Sequence, residues 1–172
     1  MTTGNDLINE GNDFTGENTK LPSGLNVLTI LTIIGTILFN FLGGIWGFIS
    51  AEKNYKNTKD LLESGKMDDA PAWAKGMMSP EMLEMQHKML ENKLPILILT
   101  LVAGALTLYG ALEMRKRKKQ GYILWLIGEI LPMLSTVIFM GTAAMKGFGL
   151  IGIFVPVIFI ILYTVNKKDL IY

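Results

Sequence analysis

Four apolar runs set the pattern of this chain: Leu25–Ile49, Leu94–Leu112, Tyr122–Met145 and Phe148–Val165. Away from their ends none contains Lys, Arg or Asp, and Glu129 is the one acid inside any of them. No run shows the polar face that a soluble helix presents every 3.6 residues. A hydrocarbon core about 30 Å thick takes about 20 apolar residues as a helix. The pattern therefore predicts an all-α fold, an integral membrane bundle of four transmembrane helices over about 25–49, 94–112, 122–145 and 148–165.

The longest polar stretch, 50–93, separates the first two spans and predicts helices of its own. Ala51–Ser64 has few helix breakers and ends at Gly65, a suitable glycine for a helix C-terminus, so it extends the first span out of the membrane. Asp68 to Gly76, with Trp73 at its centre, brackets one or two further turns. Ser79-Pro80-Glu81 opens another helix, with Ser as N-cap, Pro in the first turn and an acid at the positive end. It runs to about Asn92, and Pro95 sits at the start of the second span. Ahead of the first span, residues 1–22 are rich in Asn, Gly and Thr and carry four acids against Lys20. They read as a flexible acidic tail, not as the basic start of a signal peptide. The organisation is a tail over 1–22 and a membrane domain over 23–172, with the loop 50–93 outside the cytoplasm.

Composition narrows the function classes. Half of the 172 residues are hydrophobic, 18% are charged and the net charge is +1. Soluble domains carry about a quarter charged residues. Near-neutrality argues against a nucleic-acid partner, which needs excess positive charge on one face. With no Cys and one His, the chain has no thiolate nucleophile, and neither a metal site nor a cofactor is expected.

Orientation follows from charge density. Arg115, Lys116, Arg117, Lys118 and Lys119 crowd a connection of about nine residues, whereas the lysines of 50–93 are diluted by acids. Short loops dominate topology, so the cluster and both termini are expected in the cytoplasm. Tyr109, Tyr122, Trp125 and Tyr163 fall near that face, as an interfacial belt would. The five cations also suit anionic lipid headgroups, although a topology signal alone accounts for them.

Three further sets of residues carry candidate chemistry. Thr29, Thr32, Thr36, Asn40, Gly43 and Gly47 recur at steps of three and four and form one small or polar stripe. In lipid such a stripe packs helices by close approach and hydrogen bonds, within the chain or between copies. Glu129 lies about 12 Å into the third span, counting from Gly121 at 1.5 Å per residue. Thr32, Thr36 and Thr107 lie at similar depth. An intramembrane acid is either a proton or cation relay or a hydrogen-bonding tie between helices, and the tie is favoured because no second acid accompanies it. In the loop, Met82, Met85 and Met89 share a helical face. Thioethers bind Cu(I), but His87 points elsewhere, so the face is read as an adaptable apolar surface for a partner, together with Trp73.

No nucleophile elbow, zinc-protease motif, phosphate loop or pair of acids within a span is present, so no enzyme is expected. The stretches LPSGLNVLTILT (21–32), DAPAWAKGMMSPEM (69–82) and GYILWLIGEILP (121–132), with RKRKK (115–119), resemble an uncharacterised family of small bacterial four-span membrane proteins. The resemblance implies a multi-pass protein of the bacterial inner membrane and no particular activity. Small multidrug exporters also pair four spans with one membrane acid, but theirs lies in the first helix. The reading is a non-catalytic accessory subunit of a membrane assembly, contacting lipids and other subunits or itself. The alternative is a small proton- or ion-coupled transporter or channel subunit that uses Glu129.

Overall fold

The computed structural model describes residues 21–65, 71, 75, 79–141 and 151–172. The acidic tail up to residue 20, Trp73, Met67, Met77, Met78 and the connection 142–150 lie outside the described residues. Every element described is helical, and three helices are long and apolar enough to cross a membrane.

The first is one continuous helix from Ser23 to Glu63, 41 residues long. At about 1.5 Å per residue it spans about 60 Å, twice the hydrocarbon thickness. It comprises α1 (Ser23–Gly35), a wider π-helical segment (Thr36–Gly43) and α2 (Gly44–Glu63). The extension beyond the first apolar run stops where expected, at Ser64, followed by Gly65 at φ +67°. The π segment has no counterpart in the sequence reading.

Next come α3 (Pro80–Glu91), α4 (Lys93–Arg115), α5 (Lys119–Met140) and α6 (Ile151–Asn166), then a 3-10 turn over Lys167–Asp169. Ser79 caps α3 by accepting the Met82 N–H at 3.3 Å. Gly141, at φ +80°, ends α5 at Met140, short of the Met145 expected for the third span. That left-handed conformation breaks the helix although the apolar run continues.

The helices pack in sequence: α1 on α4, α4 on α5, α5 on α6, and α6 back on α1, while α3 lies along α2. The α4–α5 hairpin is the tightest contact. A Cβ added to Gly121 would lie 2.6 Å from the Gly110 carbonyl oxygen, and one on Gly128 would lie 2.7 Å from the Thr107 nitrogen. Only glycine lets the two backbones come so near, and dispersion from such close approach is what joins helices in lipid. The core is off-centre. Leu25, Leu28, Met114, Tyr122, Trp125, Tyr163 and Leu170 cluster at the end where α1 begins, α4 turns into α5 and α6 ends.

Candidate functional site

At that end the basic turn is built into the fold. Its neutralising acid, Glu113, is buried, and it pairs with Lys116 at 2.7 Å and Lys118 at 2.5 Å. The hydrogen bond to Glu113, and then its charge, hold the Lys116 amine above its ordinary range. Arg115 reaches across to the first helix, where its Nη1 donates to Asn26 Oδ1 at 3.0 Å and to Thr29 Oγ1 at 3.1 Å. Arg117 adopts a left-handed conformation at φ 59° and binds the last residues. Its Nε donates to the Asp169 carbonyl at 3.1 Å, and its own carbonyl accepts from Ile171 N at 2.8 Å and Tyr172 N at 3.1 Å. Lys119 contributes its backbone N–H to the Tyr172 carbonyl. The residues expected to mark lipid headgroups and topology therefore also hold three chain segments together.

The expected aromatic belt is mostly interior. Tyr122, Trp125 and Tyr163 are buried, and only Tyr109 is exposed. Trp125 and Tyr163 stack with ring centroids 4.2 Å apart, and Lys167 sits over the Tyr122 ring at 4.8 Å. These rings fill the space between α1, α5 and α6, which a belt reading from sequence depth alone does not anticipate.

Above them lie the polar groups of the bundle interior. Thr29, Thr32, Thr36 and Thr107 are all buried. The Thr32 hydroxyl shares a 2.9 Å hydrogen bond with the Tyr163 hydroxyl, tying α1 to α6, and Tyr122 does the same with Thr164 at 2.9 Å. Glu129 itself is half-buried one helical turn beyond Trp125 and has neither a hydrogen bond nor an ion pair among the described residues. Two nearby buried polar atoms also lack a partner, the Trp125 indole Nε1 and the Thr107 Oγ1, and the Thr107 hydroxyl abuts Gly128. Buried polar groups in folded proteins are nearly always satisfied, so these two atoms stand out; Gln86 Oε1 on α3 is the other buried atom without a partner among the described residues.

The packing stripe of the first helix changes register at the π segment. Up to Thr36 the expected positions face inward. Asn40 then meets the position of Gly104, but Gly43 is exposed, and the next close approach falls at Gly44, where an added Cβ would lie 3.0 Å from Thr100 Cγ2. The inward face continues through Phe48, Ala51, Tyr55 and Thr58. One extra residue in the wide turns accounts for the offset. A Cβ added to Gly47 would lie 3.7 Å from Met89 Cε, at the edge of the α2–α3 contact. Met82, Met85 and Met89 are half-buried, and α3 has no fully buried residue. Its polar side carries exposed His87, which stacks on Tyr55 at 5.4 Å and approaches Glu91 at 3.5 Å.

The chain matches no family model, no curated protein and no solved structure. Residue chemistry and geometry therefore carry the functional argument. The sequence reading missed Gly110, Gly121 and Gly128, which let the α4 and α5 backbones approach closely, and the partnering of Arg115, Thr32 and Tyr163. Ala103, Thr107, Gly110 and Ala111 do recur at helical spacing in the second span, a signal of the same kind as the stripe on the first.

Proposed function

We propose that this is a four-span protein of the bacterial inner membrane, with both termini cytoplasmic, acting as a non-catalytic accessory subunit of a membrane assembly. The carrying observation is α3. It packs along α2, with smaller contacts to α5 and α4, and its Met and Leu face buries no residue completely. Methionine-rich surfaces of this kind adapt to a partner's shape. The fourth span rests on α6, which is apolar along its 16 residues and exposes Phe154, Ile158, Ile161 and Leu162 on one side. Phe148–Leu150 precede it in the sequence and extend its apolar length. The cytoplasmic assignment of the termini rests on the charge density of 115–119.

The test is extraction in mild detergent followed by measurement of what co-purifies at fixed stoichiometry. Replacement of Met82 and Met85 by Glu should remove that partner while leaving the thermal melt of the protein in place. Recovery of a lone monomer from the parent overturns the reading. Single cysteines check orientation in this Cys-free chain: Ser64→Cys should label from outside intact cells and Gln120→Cys should not.

A further inference from the structure

We propose that the basic end of the bundle is a binding patch for anionic phospholipid headgroups, formed where the segment 167–172 folds over the α4–α5 turn. Such a patch rests on the membrane location in the reading above and needs neither a partner subunit nor α3.

Three observations carry it. First, two distant stretches are bonded into one surface. Arg117 donates from Nε to the Asp169 carbonyl at 3.1 Å, and its own carbonyl accepts from Ile171 N and Tyr172 N. The Lys119 backbone N–H bonds the Tyr172 carbonyl, and Lys167 Nζ sits 4.8 Å from the centre of the Tyr122 ring. Buried Leu170 anchors the segment in the core cluster. The cations of 115–119 and those of 167–168 therefore share one face.

Second, the charge on that face is not cancelled. Between 113–119 and 167–169, seven cations stand against two acids. Glu113 is taken by Lys116 and Lys118. Arg115 bonds the neutral groups of Asn26 and Thr29. Lys119, Lys167 and Lys168 are exposed, and neither they nor Asp169 form an ion pair among the described residues. Each cation held near an anionic membrane surface is worth about fivefold in affinity.

Third, the patch is amphipathic and held at headgroup level. Arg115 ends α4 and Lys119 begins α5, at the limit of two helices long and apolar enough to cross a membrane. Ile171 and Tyr172 are exposed beside the cations and suit the boundary between acyl chains and headgroups. A phospholipid supplies both complements, phosphate for the cations and acyl chain for the apolar side chains. Soluble phosphate supplies only the first. The acids of 1–20 also supply charge, but that stretch is poor in apolar residues. A topology signal needs only a number of cations, whereas a headgroup patch depends on which of them are unpaired.

The test is thermal unfolding of the full-length protein in neutral detergent with added lipid. Phosphatidylglycerol at about tenfold excess over its dissociation constant should raise Tm by about 5 °C, because a ligand held only by the folded state shifts the melt. The rise should shrink as salt is added. Phosphatidylcholine and inorganic phosphate should leave the melt in place. Lys119→Gln and Lys168→Gln should each weaken binding about fivefold, read against that variant's own lipid-free melt. Lys116→Gln, whose charge already serves Glu113, should cost less, and Lys53→Gln, on α2 beyond the opposite end of the span, nothing. No rise with phosphatidylglycerol overturns the patch, as does an equal rise with phosphatidylcholine or inorganic phosphate. Equal losses in all four variants reduce it to a count of charges and overturn it too. A rise seen only after Asp6, Glu10, Asp13 and Glu17 are replaced by Asn assigns the face to the chain's own acidic stretch and overturns the lipid. None of these outcomes bears on co-purification through α3, so the two readings fail separately.

Discussion

The α4–α5 hairpin and the long first helix solve the same problem by opposite means. Both are apolar helices that gain nothing from hydrophobic exclusion inside a bilayer. In the hairpin, Gly110 and Gly121 face each other's backbones and Gly128 faces those of Ala103 and Thr107, so that the two helices touch along their length. The first helix carries the more conspicuous small-residue stripe, yet it packs more loosely. It attaches through side-chain bonds, Thr32 to Tyr163 and Asn26 and Thr29 to Arg115, and exposes Phe39 and Trp46 at 77% and 71%. The contrast teaches that a stripe on one helix does not locate a close contact. A close contact needs small residues on both partners at matching heights, which a single-helix pattern does not record.

The sharpest way to break this comparison is to fill the hairpin. Gly110→Ala and Gly128→Ala each place a methyl against backbone, and overpacking of that kind costs about 1–3 kcal/mol. Thermal unfolding in detergent should show large losses for both, and a silent Gly128→Ala would mean that the hairpin is not the rigid half. Next in size is the side-chain attachment of the first helix. A double-mutant cycle on Thr32→Val and Tyr163→Phe should yield a coupling of about 0.6 kcal/mol, the usual worth of a membrane hydrogen bond. Zero coupling would detach the first helix from α6.

A smaller effect is expected at the turn that closes the hairpin. Because Glu113 raises Lys116 above 10.5, the pair adds stability that is complete below that value and lost as pH rises through the folded value. Melts of the parent should therefore drop at strongly alkaline pH. Glu113→Gln should start lower and show less of that drop. The smallest effect belongs to Gly43→Ala. With the Leu38 carbonyl 3.4 Å away as its nearest neighbour, the new methyl meets ordinary contact, and alanine favours helix over glycine. A neutral to slightly stabilising result is expected, and a loss comparable to that of Gly128→Ala would restore Gly43 to a packing role.

Much of the architecture is legible in the residues, because lipid imposes long apolar helices and leaves few alternatives. The Ser79 cap, the stop at Gly65 and the continuation of the first span to Glu63 all follow from local chemistry. What was not legible depends on pairing between distant segments. Nothing in the sequence of Arg115 says that its guanidinium bonds Asn26, and nothing in the spacing of Tyr122, Trp125 and Tyr163 says that they turn inward rather than toward headgroups. The register change at Thr36–Gly43 escaped for a related reason. Its residues are ordinary helix formers, and its flanks are held by contacts with distant segments, Thr32 with Tyr163 on one side and Gly44 against Thr100 on the other.

That anchored wide turn gives the first helix slack in length. A π segment holds one residue more than an α-helix needs to join the same two ends. Removing Leu38, whose side chain is exposed, should let the stretch relax into an ordinary helix while Thr32 keeps Tyr163 and Gly44 keeps Thr100. Removing Ile30 instead turns everything upstream by about 100° relative to the rest, because no spare residue absorbs the step there. The helix therefore has one place where its sequence can shorten without re-aiming either half.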